Sequence, residues 1–159
     1  MVAGERNWQQ LLSMALQTPQ ALQIAVQPQT STSLVGTDVR HEASLELHEP
    51  DGRVLGGAFF LPAAVRLGMS ADYDLQALSL GLQWLGQHPG ETLVVRVSVP
   101  SLEQDDLVPL VRKLLQSPPA QALGAGLEQL VLELDAHALE VNPARVAELC
   151  DETALAHVG

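Results

Sequence analysis

The sequence predicts an α/β fold with a largely parallel sheet. From Val39 onward, segments with strand patterning and segments with helical patterning alternate, which is the order that generates parallel strands and right-handed crossovers. Two segments, Glu91–Val99 (ETLVVRVSV) and Leu127–Leu134 (LEQLVLEL), are nearly continuous apolar runs, as expected of strands covered on both faces. The chain has 159 residues, 47% of them apolar, enough for one domain around one core.

Each element follows from local chemistry. Trp8, Leu11, Leu12, Ala15 and Leu16 recur at helical spacing, so Glu5–Gln17 reads as a first helix ended by Thr18-Pro19. Leu22–Val26 reads as a short strand stopped at Gln27-Pro28, and Gln29–Thr37 as a polar loop or a weak edge strand. Over Val39–Leu47, Val39, His41, Ala43, Leu45 and Leu47 face one way, and Arg40, Glu42, Ser44 and Glu46 the other. Glu49-Pro-Asp-Gly52 is a turn, and Arg53–Leu55 its returning strand. Ala58–Leu67 reads as a helix closed by Gly68 at C′. Ser70 reads as the cap of a longer helix that runs to about Leu85 and ends at His88-Pro-Gly90. Leu107–Leu115 reads as a helix terminated by Ser117-Pro-Pro119, with a loop over AQALGAG. Asn142 and Pro143 are suited to N-cap and N1 of a last helix.

Composition excludes several classes. Asp and Glu number 19 against 8 Lys and Arg, and Lys113 is the one lysine, so no basic stripe is available for nucleic acid or an anionic membrane. A single cysteine, Cys150, excludes an internal disulfide and a cysteine-based zinc site; it reads as a buried small apolar residue in a reducing cytoplasm. No signal-peptide pattern and no apolar run of membrane-spanning length occurs in the segment, although a longer parent could be anchored. Ser98 and Ser101 lack a nucleophile elbow. Gly56-Gly57 and Gly124-Ala-Gly126 lack the context of a phosphate loop. His41, His48 and His137 do not have metal-ligand spacing and read as structural.

Several motifs occur in order. Val26-Gln-Pro28 resembles the "FQPI" strand end of EAL domains, bacterial modules that bind or hydrolyse cyclic di-GMP. Arg40-His-Glu-Ala-Ser-Leu-Glu-Leu47 resembles their "EALLR" strand, and Gly56–Met69 the "FIPLAEETGL" helix that follows. Asp74-Leu75 with Leu78 resembles "LDRWVL", Val95–Leu102 "VNLSPRSL", and Leu130–Asp135 "LVLEITE" with His137-Ala-Leu139 as its "SAL". The resemblance runs from about Trp8 to Leu149. A complete (β/α)8 barrel takes ~250 residues. It therefore implies an incomplete TIM-barrel-like EAL fold: one domain over residues 1–159, with a leading helix over 1–20 and a partial barrel over 21–159.

The family's hydrolysis uses two divalent cations that activate a bridging water. The resemblance implies family-equivalent positions at Gln27, Glu42, Glu46, Asp74, Arg96 and Glu133. Glu42 would be the first carboxylate ligand and Glu133 another. Arg96, however, stands at the family's asparagine, and an arginine repels a cation rather than ligating it. Glu46 stands at the arginine that pairs with a ligand phosphate and has the opposite sign. The paired aspartates, the catalytic lysine and the later glutamate have no counterpart, and the residues after Cys150 match no motif. Glu42 reads as a ligand or as an orphan carboxylate, and Arg96–Glu133 as an ion pair in place of the metal site.

The expectation is a degenerate, non-catalytic EAL-like domain with no cofactor. It would act as a cytoplasmic regulatory or protein-interaction module in cyclic di-GMP signalling. Magnesium or manganese would enter only on the alternative of a phosphodiesterase completed in a longer parent. A non-hydrolysing cyclic di-GMP receptor is the third reading. A protein partner or a dimer is expected, because the last strand, Leu130–Leu134, would lack a following neighbour.

Overall fold

The structure, a computed structural model, describes residues 2–33, 36–153 and 156–158, with side chains over 7–29 and 40–151. The first helix, α1 (Val2–Gln17), buries Leu12 and Ala15 and rests Trp8, Leu11 and Leu16 on the core. Strands β1 (Leu22–Ser33) and β2 (Gly36–His48) form a long antiparallel hairpin. The Glu49–Gly52 turn leads into the short strand β3 (Val54–Gly56), which pairs back on β2. Gly52 closes that turn at φ +95°, and its N–H donates to the Glu49 carbonyl at 3.0 Å.

Helix α2 (Gly57–Arg66) ends as its sequence predicts. Gly68 has φ +71°, its N–H donates to Val65 O at 3.1 Å, and the Met69 N–H donates to Ala64 O at 2.8 Å. That pair of bonds is a Schellman motif. Helix α3 (Ser70–Gln87) crosses the sheet. Strand β4 (Leu93–Val97) leads into a 3₁₀ turn, Val99–Glu103, and then α4 (Leu107–Leu115). Helix α5 (Pro118–Leu123) and a 3₁₀ segment (Gly124–Gln129) precede β5 (Leu130–Leu134). Helices α6 (His137–Val141) and α7 (Pro143–Thr153) are followed by β6 (Ala156–Val158). Asn142 caps α7 as expected, accepting from the Arg145 N–H at 3.2 Å.

The sheet order is β1-β2-β4-β5-β6, with β3 beside β2. The β2–β4, β4–β5 and β5–β6 pairs are parallel, so the predicted partly parallel α/β sheet is what forms. Leu45, Leu47, Leu93, Val95, Val97, Leu130, Leu132 and Leu134 turn to one face and join Leu12, Phe60, Tyr73, Leu78 and Leu82 in the core. The Tyr73 hydroxyl donates to Leu12 O at 2.8 Å and ties α1 down.

Five expectations are corrected. Pro28 does not stop β1. The His41 N–H points to Thr92 O at 2.8 Å, so the opposed Pro28 has its nitrogen on the outer side of β1, where no ladder bond is lost. The AQALGAG stretch is not a loop, because Pro118 and Pro119 start α5 at the positions where proline is preorganised for a helix. Residues 127–129 belong to the 3₁₀ segment, so β5 starts at Leu130. Strands β4 and β5 are not apolar on both faces, since Arg96 is exposed and Glu133 half-buried. Finally, β5 does have a following neighbour: β6 pairs with it, Glu133 beside His157, so the reason given for self-association does not hold at that edge.

Helix α3 approaches the sheet closely at Gly81. A Cβ there would lie 3.1 Å from Leu93 Cδ2 and 3.2 Å from Val95 Cγ2. Gly81→Val should therefore overpack the interface and lower stability by about 1–3 kcal/mol, read as a lower urea midpoint with an unchanged m-value.

Candidate functional site

Alternation along the strands sorts the predicted site residues onto one sheet face. Leu93, Val95 and Val97 enter the core, so Val94 and Arg96 point the other way. Glu42 is level with Val94, and Arg96 is level with Glu133. Gln27 lies opposite Glu42 on β1. This polar face meets the carboxyl ends of the parallel strands, the end at which barrel folds place their sites.

The structure brings some of these residues together and keeps others apart. Arg96 Nη2 is 3.4 Å from Glu133 Oε1, with side-chain exposures of 57% and 29%. The anticipated ion pair thus forms, but in contact with water rather than in the interior. Exposed pairs contribute up to about 1 kcal/mol, so the larger penalty of a broken buried pair does not apply. Glu42 accepts from Gln29 Nε2; Gln29 lies in β1, in the stretch expected to be a polar loop or a weak edge strand. Glu42 stands two residues, roughly 6.6 Å along the strands, before the Arg96–Glu133 level. Glu46 lies toward His48, with Glu46 Oε1 3.6 Å from His48 Nε2.

Asp74 is elsewhere, on the helix side of β4. Only 8% of it is exposed, yet Oδ2 collects three donors: the Ser98 N–H and Ser98 Oγ, both at 2.8 Å, and Ser101 Oγ. Ser70 Oγ lies 2.7 Å from both Ser98 Oγ and Ser101 Oγ. Two of the three hydroxyl protons are committed to the carboxylate, so the Ser70 proton serves the serine oxygens. Ser70 is therefore not a helix cap. It starts α3 and joins α3 to the turn that follows Arg96. The sequence held one signal for this cluster: Asp74 lies on the stripe of Ala71, Ala77, Leu78 and Leu82, and a carboxylate on a buried stripe requires donors.

The remaining candidates lie apart from the Arg96–Glu133 level. His41 Nδ1 is 3.3 Å from Glu91 Oε2, and its ring lies 5.4 Å from Trp84. His137 is exposed beside Glu140, and Cys150 is half-buried against the core rather than fully buried. Among the described residues no three His, Cys, Asp or Glu side chains gather to hold a metal ion, and the Arg96 guanidinium occupies the level of Glu133. Among the described residues no helix is long and apolar enough to cross a membrane.

A partly parallel α/β sheet with a helix-covered apolar face and a polar face at its strand ends matches part of a barrel-type architecture. The particular fold is that of EAL domains. The LapD fragment of Vibrio cholerae with S helix, GGDEF and EAL domains, in its apo form, matches with TM-score 0.77 at 20% identity, over 98% of this chain and 37% of that one. The FimX EAL domain from Pseudomonas aeruginosa bound to c-di-GMP matches with TM-score 0.74 at 22% identity, over 95% and 60%. The PaMucR phosphodiesterase in complex with c-di-GMP matches with TM-score 0.69 at 22% identity, over 94% and 62%. The chain thus spans less than two thirds of each of these three. No protein-family model and no curated protein matches it.

Burial raises the Asp74 carboxyl above the ordinary aspartate value of 3.8, outweighing the Ser101 and Ser98 hydrogen bonds that favour its ionised form. A carboxyl raised in the folded state contributes most stability at acid pH and loses it as pH climbs from 3.8 through the raised value. Asp74→Asn removes that titration. The stability difference, wild type minus Asp74→Asn, should be most favourable to wild type at low pH and fall toward neutrality in urea unfolding. A difference that is flat with pH would refute the assignment.

Proposed function

We propose that this chain is a regulatory, non-hydrolysing EAL-type module of bacterial cyclic di-GMP signalling. The observation that carries the reading is the Arg96–Glu133 contact of 3.4 Å. The resemblance implies a metal-binding asparagine and glutamate at these two positions. A guanidinium there supplies a positive charge where hydrolysis needs a cation site, and it ties up the remaining carboxylate. The c-di-GMP carried by the FimX structure supports that dinucleotide as the ligand class, bound on the polar face. On this reading the module works in the cytoplasm through protein contacts, including a second copy of the chain.

Two experiments test this. Incubation with cyclic di-GMP and Mg²⁺ or Mn²⁺ should yield no linear dinucleotide above a buffer blank. Turnover abolished by Glu42→Ala would establish the second reading, a phosphodiesterase, which the fold likeness to PaMucR favours. The formal charge of −11 opposes self-association at low salt. Sedimentation velocity across a salt series tests the dimer: a larger species that grows with moderate salt supports it, and a monomer throughout excludes it.

A further inference from the structure

The Arg96–Glu133 pair has an unusual economy for a structural salt bridge. It is a single contact, Nη2 to Oε1 at 3.4 Å, not the bidentate fork that an arginine and a carboxylate can make. More than half of the arginine side chain is open to water, and Glu133 is half-buried beside it. A guanidinium has five N–H donors, so most of its donor capacity faces outward from the sheet. The other site carboxylates on this face are engaged elsewhere: Glu42 accepts from Gln29 and stands a layer lower, and Glu46 lies toward His48. Glu133 is thus the carboxylate in contact with Arg96, and the pair costs little to open, because exposed ion pairs are weak.

We propose that this pair is a self-occupied phosphate position. Glu133 holds the guanidinium that would otherwise receive a phosphate oxygen of a cyclic dinucleotide, and so sets how tightly the ligand is held. The inference rests on the reading that such a ligand uses the polar face. Two effects act in the same direction. The Glu133 carboxylate competes for the guanidinium, and its negative charge repels an incoming phosphodiester. Guanidinium contacts to a carboxylate and to a phosphate are both charge-assisted, so ligand and Glu133 compete for one arginine. The domain then binds weakly as folded, and any change that neutralises or displaces Glu133 raises its affinity.

The test measures cyclic di-GMP binding by calorimetry without divalent cations, in wild type, Glu133→Gln, Arg96→Gln and the double variant. Glu133→Gln should tighten binding by about fivefold, Arg96→Gln should weaken it, and the double variant should lose the Glu133→Gln gain. Urea midpoints of the four proteins should lie close together, since the pair is exposed, which separates the effect from a loss of folding. Unchanged affinity in Glu133→Gln, or a gain that persists without Arg96, overturns the proposal while the dinucleotide reading stands. Absence of binding in all four proteins overturns both.

Discussion

The Asp74 carboxylate joins the two halves of this fold. It sits in the first turns of α3, almost out of solvent, and its Oδ2 gathers a backbone N–H and two hydroxyls from the segment after β4. A buried carboxylate without donors would be costly. Here the donors come from a strand end that must leave the sheet at that point. The helix covering the sheet and the turn leaving it are thereby fixed to each other, and Arg96, two residues before Ser98, is held at a defined height on the opposite face. Gly81 lets the same helix settle closely on Leu93 and Val95, so α3 is anchored by polar contacts at its start and by close packing in its middle.

The two sheet faces carry different kinds of information. The core face is redundant: Leu, Val and Ala fill it, and aromatic residues are scarce at 3% of the chain. The polar face is sparse and specific. Its charged residues are held by short-range partners, Gln29 for Glu42, Glu133 for Arg96 and His48 for Glu46. On a chain with a formal charge of −11, an arginine at a strand end is a local inversion of the surrounding field.

How much of this was legible in the sequence differs by element. The helices over Val2–Gln17, Ser70–Gln87 and Leu107–Leu115 follow from 3.6-residue periodicity, and the Gly68 and Asn142 ends from cap chemistry. Motif order placed Arg96 and Glu133 on neighbouring strands, and the register confirms it. What local patterning missed depends on tertiary context. Pro28 breaks a ladder only if its nitrogen faces a partner, and the sequence does not say which way it faces. Strand β6 is three residues long and takes its identity from β5 rather than from its own pattern. Ser70 has the residue type of a helix cap, but Ser98 and Ser101 lie within reach of its hydroxyl, so it is used there instead.

The outward nitrogen of Pro28 has a further consequence. Among the described residues strand β1 stands at one end of the sheet order, and a 12-residue strand in that place is a long template for another chain. At Pro28 the template has a missing donor in its outer row. A foreign strand laid along β1 would lose a bond midway and meet the pyrrolidine ring at the same step, while the hairpin partner loses nothing. The residue that looked like a terminator thus works as a one-sided guard: it leaves the internal pairing intact and makes that edge a poor seed for aggregation.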